Sequence, residues 1–119
     1  MNETRIMLYY DFENLNQIIN TSRANFYKAN SIKKKEMQYI KNATLDIEKI
    51  KEYPVKITFI WHVKDKRRDL DNMVAKNILD GLVNAKVIEN DNLKYISEIT
   101  YKAVIDNQKY VEVIIEKAW

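Results

Sequence analysis

Val55, Ile57, Phe59, Trp61 and Val63 alternate with Lys56, Thr58, Ile60 and His62 in an unbroken run directly after Pro54. Successive side chains of an extended chain point to opposite sides, so this period of two puts every odd-numbered residue on one face. That face is apolar throughout and requires a second layer to bury it. A strand over 55–63 is therefore the element around which the rest must be arranged.

The flanking segments supply the other layer. Between Ser31 and about Lys51, the residues Met37, Ile40, Ala43, Ile47 and Ile50 recur at steps of three and four with lysines and glutamates between them. This is the period of an amphipathic helix, which Pro54 ends. From about Asp71 to Asn84, Leu70, Val74, Ile78, Leu79, Leu82 and Val83 predict a second helix, locally weakened by Gly81. Near the N-terminus, Ile6, Leu8 and Tyr10 alternate with Arg5, Met7 and Tyr9 and predict a short strand. The Asn-rich stretch from Asp11 to Asn30, with Asn14, Asn16, Arg23, Asn25, Phe26 and Lys28, is expected to be a long irregular connector, and such segments tend to carry function. Residues 94–105 and 108–117 are rich in β-branched and aromatic side chains, and Asp106-Asn107 is suited to a turn that would pair them as a terminal hairpin. The predicted order is β-α-β-α-β-β in one domain over 1–119. It implies a two-layer α+β fold with two helices on a small mixed β-sheet.

Composition narrows the functional classes. The chain has no cysteine, which excludes disulfides, thiolate metal sites and cysteine nucleophiles. No apolar run approaches a membrane span, and the polar start Met1-Asn2-Glu3-Thr4-Arg5 lacks a signal-peptide core, so no membrane partner and a cytoplasmic location are expected. A net charge of +3 permits a polyanionic partner, and the distribution matters more than the total. Two basic stretches stand out: Lys33-Lys34-Lys35, and Lys64-Asp65-Lys66-Arg67-Arg68, which runs straight into Asp69-Leu70-Asp71-Asn72.

In extended backbone Asp69 and Asp71 would face one side while Leu70 turns to the core. Magnesium commonly binds through one or two carboxylates completed by water and substrate phosphates, and Asp91, in the turn Glu89-Asn90-Asp91-Asn92, is a candidate third ligand if packing returns it to the pair. Spacing alone favours plainer roles, with Asp69 or Asp71 as a helix cap and Asp91 as a turn residue. His62 is expected to be structural, Asp80 to pair with Lys76 four residues before it, and Lys33 to Lys35 to form a solvated helix face. Most of the tyrosines and tryptophans follow strand periods and are expected in the core or a dimer contact.

The segments Lys66-Arg67-Arg68-Asp69-Leu70-Asp71-Asn72, Ile78-Leu79-Asp80-Gly81-Leu82 and Val87-Ile88-Glu89-Asn90-Asp91 resemble, in order and spacing, the central signature of the RusA family of Holliday junction resolvases. Asn14-Leu15-Asn16 and Lys33-Lys34-Lys35 are similar to weaker features of that family's N-terminal half. The resemblance implies a Mg2+-dependent endodeoxyribonuclease that resolves four-way DNA junctions by paired nicking in recombination and repair. It implies Asp69, Asp71 and Asp91 as metal ligands, Lys76 as a catalytic lysine, a homodimer, and a phage or prophage source. DNA contacts are then expected from Lys64, Lys66, Arg67, Arg68, Asn14, Asn16, Arg23, Lys33, Lys34 and Lys35, and dimer contacts from apolar residues of the terminal hairpin, Tyr95, Ile99, Tyr101, Val111, Val113 and Ile115. Two other readings stay open: a non-catalytic nucleic-acid-binding module, in which the basic stretch is the whole function, and an interaction protein that only oligomerises.

Overall fold

A computed structural model describes residues 3–67 and 69–119. The chain runs β1 (Glu3–Leu8), α1 (Leu15–Ala24), α2 (Phe26–Ala43), β2 (Val55–Val63), a 3-10 turn (Leu70–Asn72), α3 (Lys76–Asn84), β3 (Ile96–Ile105) and β4 (Tyr110–Lys117). It is the expected α+β arrangement in the expected order, with two consecutive helices where one was anticipated.

The stretch from Asp11 to Asn30 is not irregular. Its asparagines act as helix caps rather than as loop formers. Asn14 Oδ1 accepts the Gln17 amide at 2.9 Å while Gln17 Oε1 accepts the Asn14 amide at 2.9 Å, a reciprocal capping box that starts α1. Asn25 then ends α1 through its amide on Thr21 O (2.9 Å) and starts α2 by accepting the Lys28 amide on its side chain (3.0 Å). A single residue thus makes the elbow between the two helices. Helix α2 also stops earlier than its apolar period suggests, because the Thr44 amide and hydroxyl both turn back onto Ile40 O, at 3.0 and 2.8 Å. Ile47 and Ile50 pack against the core from the loop that follows.

The largest departure is in the sheet. Residues 96–105 and 110–117 do form strands, but not a hairpin: the sheet order is β1-β4-β2-β3, so β2 lies between them. β3 pairs parallel to β2, and β4 pairs antiparallel to both β2 and β1. The Asp106 amide donates to Val63 O at 2.8 Å, so the short connection from β3 to β4 crosses the end of β2. β2 has a fully apolar face and two free hydrogen-bonding edges, and inserting it between β3 and β4 satisfies both edges at once. Val111, Val113 and Ile115 are consequently buried in the chain's own core, opposite Trp61, Phe59 and Ile57, and are not available for a dimer.

The odd-numbered face of β2 lies under the helices, where Ile40 of α2 and Ile78 and Leu82 of α3 complete the core. Gly81, the only glycine, sits where α3 meets α2: a Cβ there would lie 2.5 Å from Ile40 Cδ1. Helix α3 therefore keeps a residue of poor helical propensity because the neighbouring helix leaves no room for a larger one. Among the described residues no helix covers the opposite face of the sheet, where Lys56, Thr58, Ile60 and His62 of β2 are half-buried.

Candidate active site

β2 ends at Val63, and the chain enters a turn that holds the basic stretch. Arg67 is not free there: its amide donates to Asp65 Oδ1 at 2.8 Å, and its Nε and Nη2 donate to Asp65 Oδ2 at 2.8 and 2.6 Å. This pairing holds the guanidinium above its ordinary pKa. Lys64 and Lys66 are exposed and make no ion pair among the described residues, while Arg68 lies outside the described residues.

Asp69 follows in extended backbone (φ −93°, ψ 125°) at the cap position of the 3-10 turn, yet its side chain makes no capping bond. Asp71 lies within that turn. Both carboxylates are exposed and accept no hydrogen bond or ion pair among the described residues. The capping role that spacing favours is therefore not taken. Leu70, expected to turn inward, is exposed; Met73 and Ala75 enter the core instead. Two bonds fix the segment in place: the Asn16 amide in the first turn of α1 donates to Asn72 Oδ1 (3.1 Å), and the Ala75 amide donates to Tyr101 Oη on β3 (3.0 Å).

Asp91 is exposed in the turn after α3, its amide held by Asn90 Oδ1 at 2.7 Å. Among the described residues no three His, Asp or Glu side chains are grouped to hold a metal ion, so Asp91 is not assembled with Asp69 and Asp71 into one cluster. Lys76 is the first residue of α3, separated from Asp71 by non-helical backbone, so the two do not share a helix. Its Nζ lies 3.7 Å from Asp80 Oδ2, the expected i,i+4 pair, and Lys33 reaches the same oxygen at 3.0 Å from α2. The three lysines of the α2 run thus divide, Lys33 towards α3 and Lys34 and Lys35 along a shallow surface depression with Tyr27 and Gln38. Arg23 is exposed at the last turn of α1. Asn14 and Asn16 serve the cap and the acidic turn, as described above.

Two further groups matter, and the first, Glu36, is one that the residue pattern did not single out. Glu36 of α2 is fully buried and accepts the Glu13 amide (2.9 Å) and Asn77 Nδ2 (3.0 Å), tying the β1–α1 connection to the start of α3 beside Lys76. Burial raises its carboxyl pKa, opposed by those two donors. Its place one turn before Ile40, on the buried face of α2, was the available signal. On the helix-free face, His62 Nδ1 lies 2.8 Å from Asp106 Oδ2 and Nε2 lies 3.2 Å from Glu112 Oε1, while the ring stacks on Tyr110 at 3.9 Å. Arg5 bonds the other Glu112 oxygen, so this network links β1, β4 and β2 to the connection that follows β3. His62 is held on both ring nitrogens, and its partners come from more than forty residues away, where no local pattern shows them. A cavity of about 250 Å³ opens beside it, between the β1–α1 connection, the end of β2 and Met73-Val74.

No family model matches the chain, and no curated protein matches it. Among the described residues no helix is long and apolar enough to cross a membrane.

The His62 hydrogen bond, helped by the Asn107 amide, holds the Asp106 carboxyl below its ordinary range. A depressed folded-state pKa contributes stability above the unfolded pKa and loses it as pH falls through the folded one. Asp106→Asn is therefore expected to lower the urea midpoint at neutral pH and to converge with the parent in acid below the carboxylate range. Equal separation of the two curves from neutral pH down to strong acid would contradict this assignment.

Proposed function

We propose that the chain is a magnesium-dependent, structure-selective endodeoxyribonuclease acting on branched DNA, four-way junctions above all, as its resemblance to the RusA family implies. The observation that carries this reading is the pair Asp69 and Asp71: exposed, free of side-chain partners among the described residues, and held at the end of the central strand between the Lys64-Lys66 turn and the first turn of α1. Free carboxylates that neither cap nor pair are what a hard cation requires, and magnesium takes as few as one or two of them with water and substrate phosphates. The donor set of Asp69 and Asp71 fits that chemistry, with Asp91 the third position that the resemblance implies. When bound, the metal would acidify a water and neutralise charge on the scissile phosphate. Lys64 and Lys66 are placed to neutralise neighbouring backbone phosphates, which gives binding without sequence reading. Lys76, largely exposed at the start of α3, is the candidate to counter charge on the transferring phosphate.

Resolving a four-way junction takes two nicks of like polarity, and one acidic pair per chain calls for a two-fold homodimer. β3 offers the surface for it: an unpaired edge of ten residues on which Ile99, Val104 and Ile105 are exposed. A bacterial cytoplasm and a phage or prophage source accompany this reading. A non-catalytic nucleic-acid-binding module is the second reading, and the separation of Asp91 from the pair favours it.

Incubating the protein with a synthetic four-way junction, with and without Mg2+, and mapping the strands decides between them. Paired, magnesium-dependent nicks near the branch are expected, with sedimentation near twice 14.2 kDa. Junction binding without nicking in any divalent metal would leave only the second reading.

A further inference from the structure

We propose that the elbow between α1 and α2 is a stacking platform for bases left unpaired or unstacked at a DNA branch point, with Phe26 and Tyr27 supplying the rings and Lys34 and Lys35 the phosphate contacts. This rests on the reading of the partner as branched DNA and adds how the branch itself is engaged.

Phe26 and Tyr27 follow directly on the single-residue cap Asn25 and are 69% and 84% exposed. Isolated exposed apolar residues are ordinary, but two adjacent rings at a single-residue corner, edge to face with centroids 6.0 Å apart, present an exposed aromatic surface. The supporting helix is equally uncommitted: α1 has no buried residue, and Leu15 and Ile19 of its apolar stripe are exposed. The charge around the corner is one-sided. From Asn14 to Lys35 the sequence holds no Asp or Glu, whereas Arg23, Lys28, Lys33, Lys34 and Lys35 all fall there. Only Lys33 is neutralised, by Asp80; the other four make no ion pair among the described residues. Tyr27, Ser31, Lys34, Lys35 and Gln38 recur on one face of α2 and line a single depression. Rings beside uncompensated cations are the combination that holds unpaired nucleic acid, because every base offers a π-face and every nucleotide a phosphate. A second copy is disfavoured as the occupant, since a two-fold contact would set these lysines against their own copies. The Asn16–Asn72 bond ties the first turn of α1, the helix that leads to the elbow, to the acidic turn.

The test compares the full chain with a Phe26→Ala/Tyr27→Ala variant in binding a labelled oligothymidylate, a four-way junction and a fully paired duplex, with magnesium-dependent nicking followed separately. Both side chains are exposed, so thermal stability should be unchanged. Oligothymidylate and junction binding are expected to weaken roughly ten- to a hundred-fold, the scale of one lost stacked base, with duplex binding unchanged. Tyr27→Trp should retain binding, and Lys34→Ala should flatten the salt dependence on the single strand by about 0.7. Undiminished oligothymidylate and junction binding by the double variant overturns the proposal even if nicking is intact. Ring-dependent oligothymidylate binding without nicking supports the platform and removes the nuclease reading. Failure of the parent chain to bind any DNA, whether it instead binds anionic lipid vesicles or self-associates through these rings, overturns both.

Discussion

Asp71→Asn is expected to leave four-way junction binding intact or stronger and to lower magnesium-dependent cleavage by on the order of 10²–10³-fold or more, the scale on which losing one stabiliser of developing charge acts. The side chain keeps its shape and loses a negative charge, so the repulsion it would exert on a DNA backbone falls while its hold on a metal at the proposed site would weaken. Asp71 makes no hydrogen bond or ion pair among the described residues, so the change has no structural partner to disturb, and the folded stability should be unaltered. Asp69→Asn should behave likewise, since its side chain caps nothing. Single-turnover cleavage at saturating Mg2+ measures both. Parent rates in either variant would remove that carboxylate from the proposed metal site.

Phe59→Ala should cost about 3–5 kcal/mol of folding free energy, the usual range for truncating a buried aromatic. Phe59 is fully buried at the middle of the central strand, with Val113 of β4 and Tyr101 of β3 as its cross-strand neighbours and Tyr101 edge-on at 5.9 Å. Both flanking strands are hydrogen-bonded in place, so the void cannot readily close. Domains are typically stable by only about 5–15 kcal/mol, so this single change consumes a large share and should lower the thermal midpoint by roughly 10 °C or more. Urea denaturation with an unchanged m-value would show that stability, and not the unfolding mechanism, has changed. A loss below about 1 kcal/mol would mean that the sheet relaxes around position 59 far more than its pairing suggests.

How much was legible depended on whether the cause was local. The bounds of β2 were readable to the residue, because nine positions of strict alternation leave one way to place an apolar face. The capping box of Asn14 and Gln17 was equally present as N-x-x-Q spacing, but it was outweighed there by the general preference of asparagine for loops. The helix after the acidic motif shows in the sequence as one continuous period, but Leu70, which fits the stripe, is exposed, and the backbone leaves the helical region between Asn72 and Lys76. The terminal strands are legible in the sequence, yet their proximity in sequence points to the wrong pairing. A short turn normally makes a hairpin, and only the need of β2 for partners on both edges overrules it.

For the candidate site the division is the same. Its residue types, the acidic pair after a basic stretch at the end of the strongest strand, are a property of the sequence, because a strand's end and the character of the next residues are local. That, among the described residues, Asp69 and Asp71 are left without side-chain partners and Asp91 is not grouped with them, and that Arg67 is spent on Asp65, are tertiary outcomes or bonds invisible to spacing. The sequence by itself determined the α+β class, the element order and the central strand, since side-chain period and caps act within a few residues. Only the tertiary structure decided that β2 separates β3 from β4, that Glu36 is sealed between Glu13 and Asn77, and that His62 lies between Asp106 and Glu112. Each of those depends on pairings between residues about 23 to 62 positions apart, whose partners are chosen by burial and edge satisfaction across the whole fold.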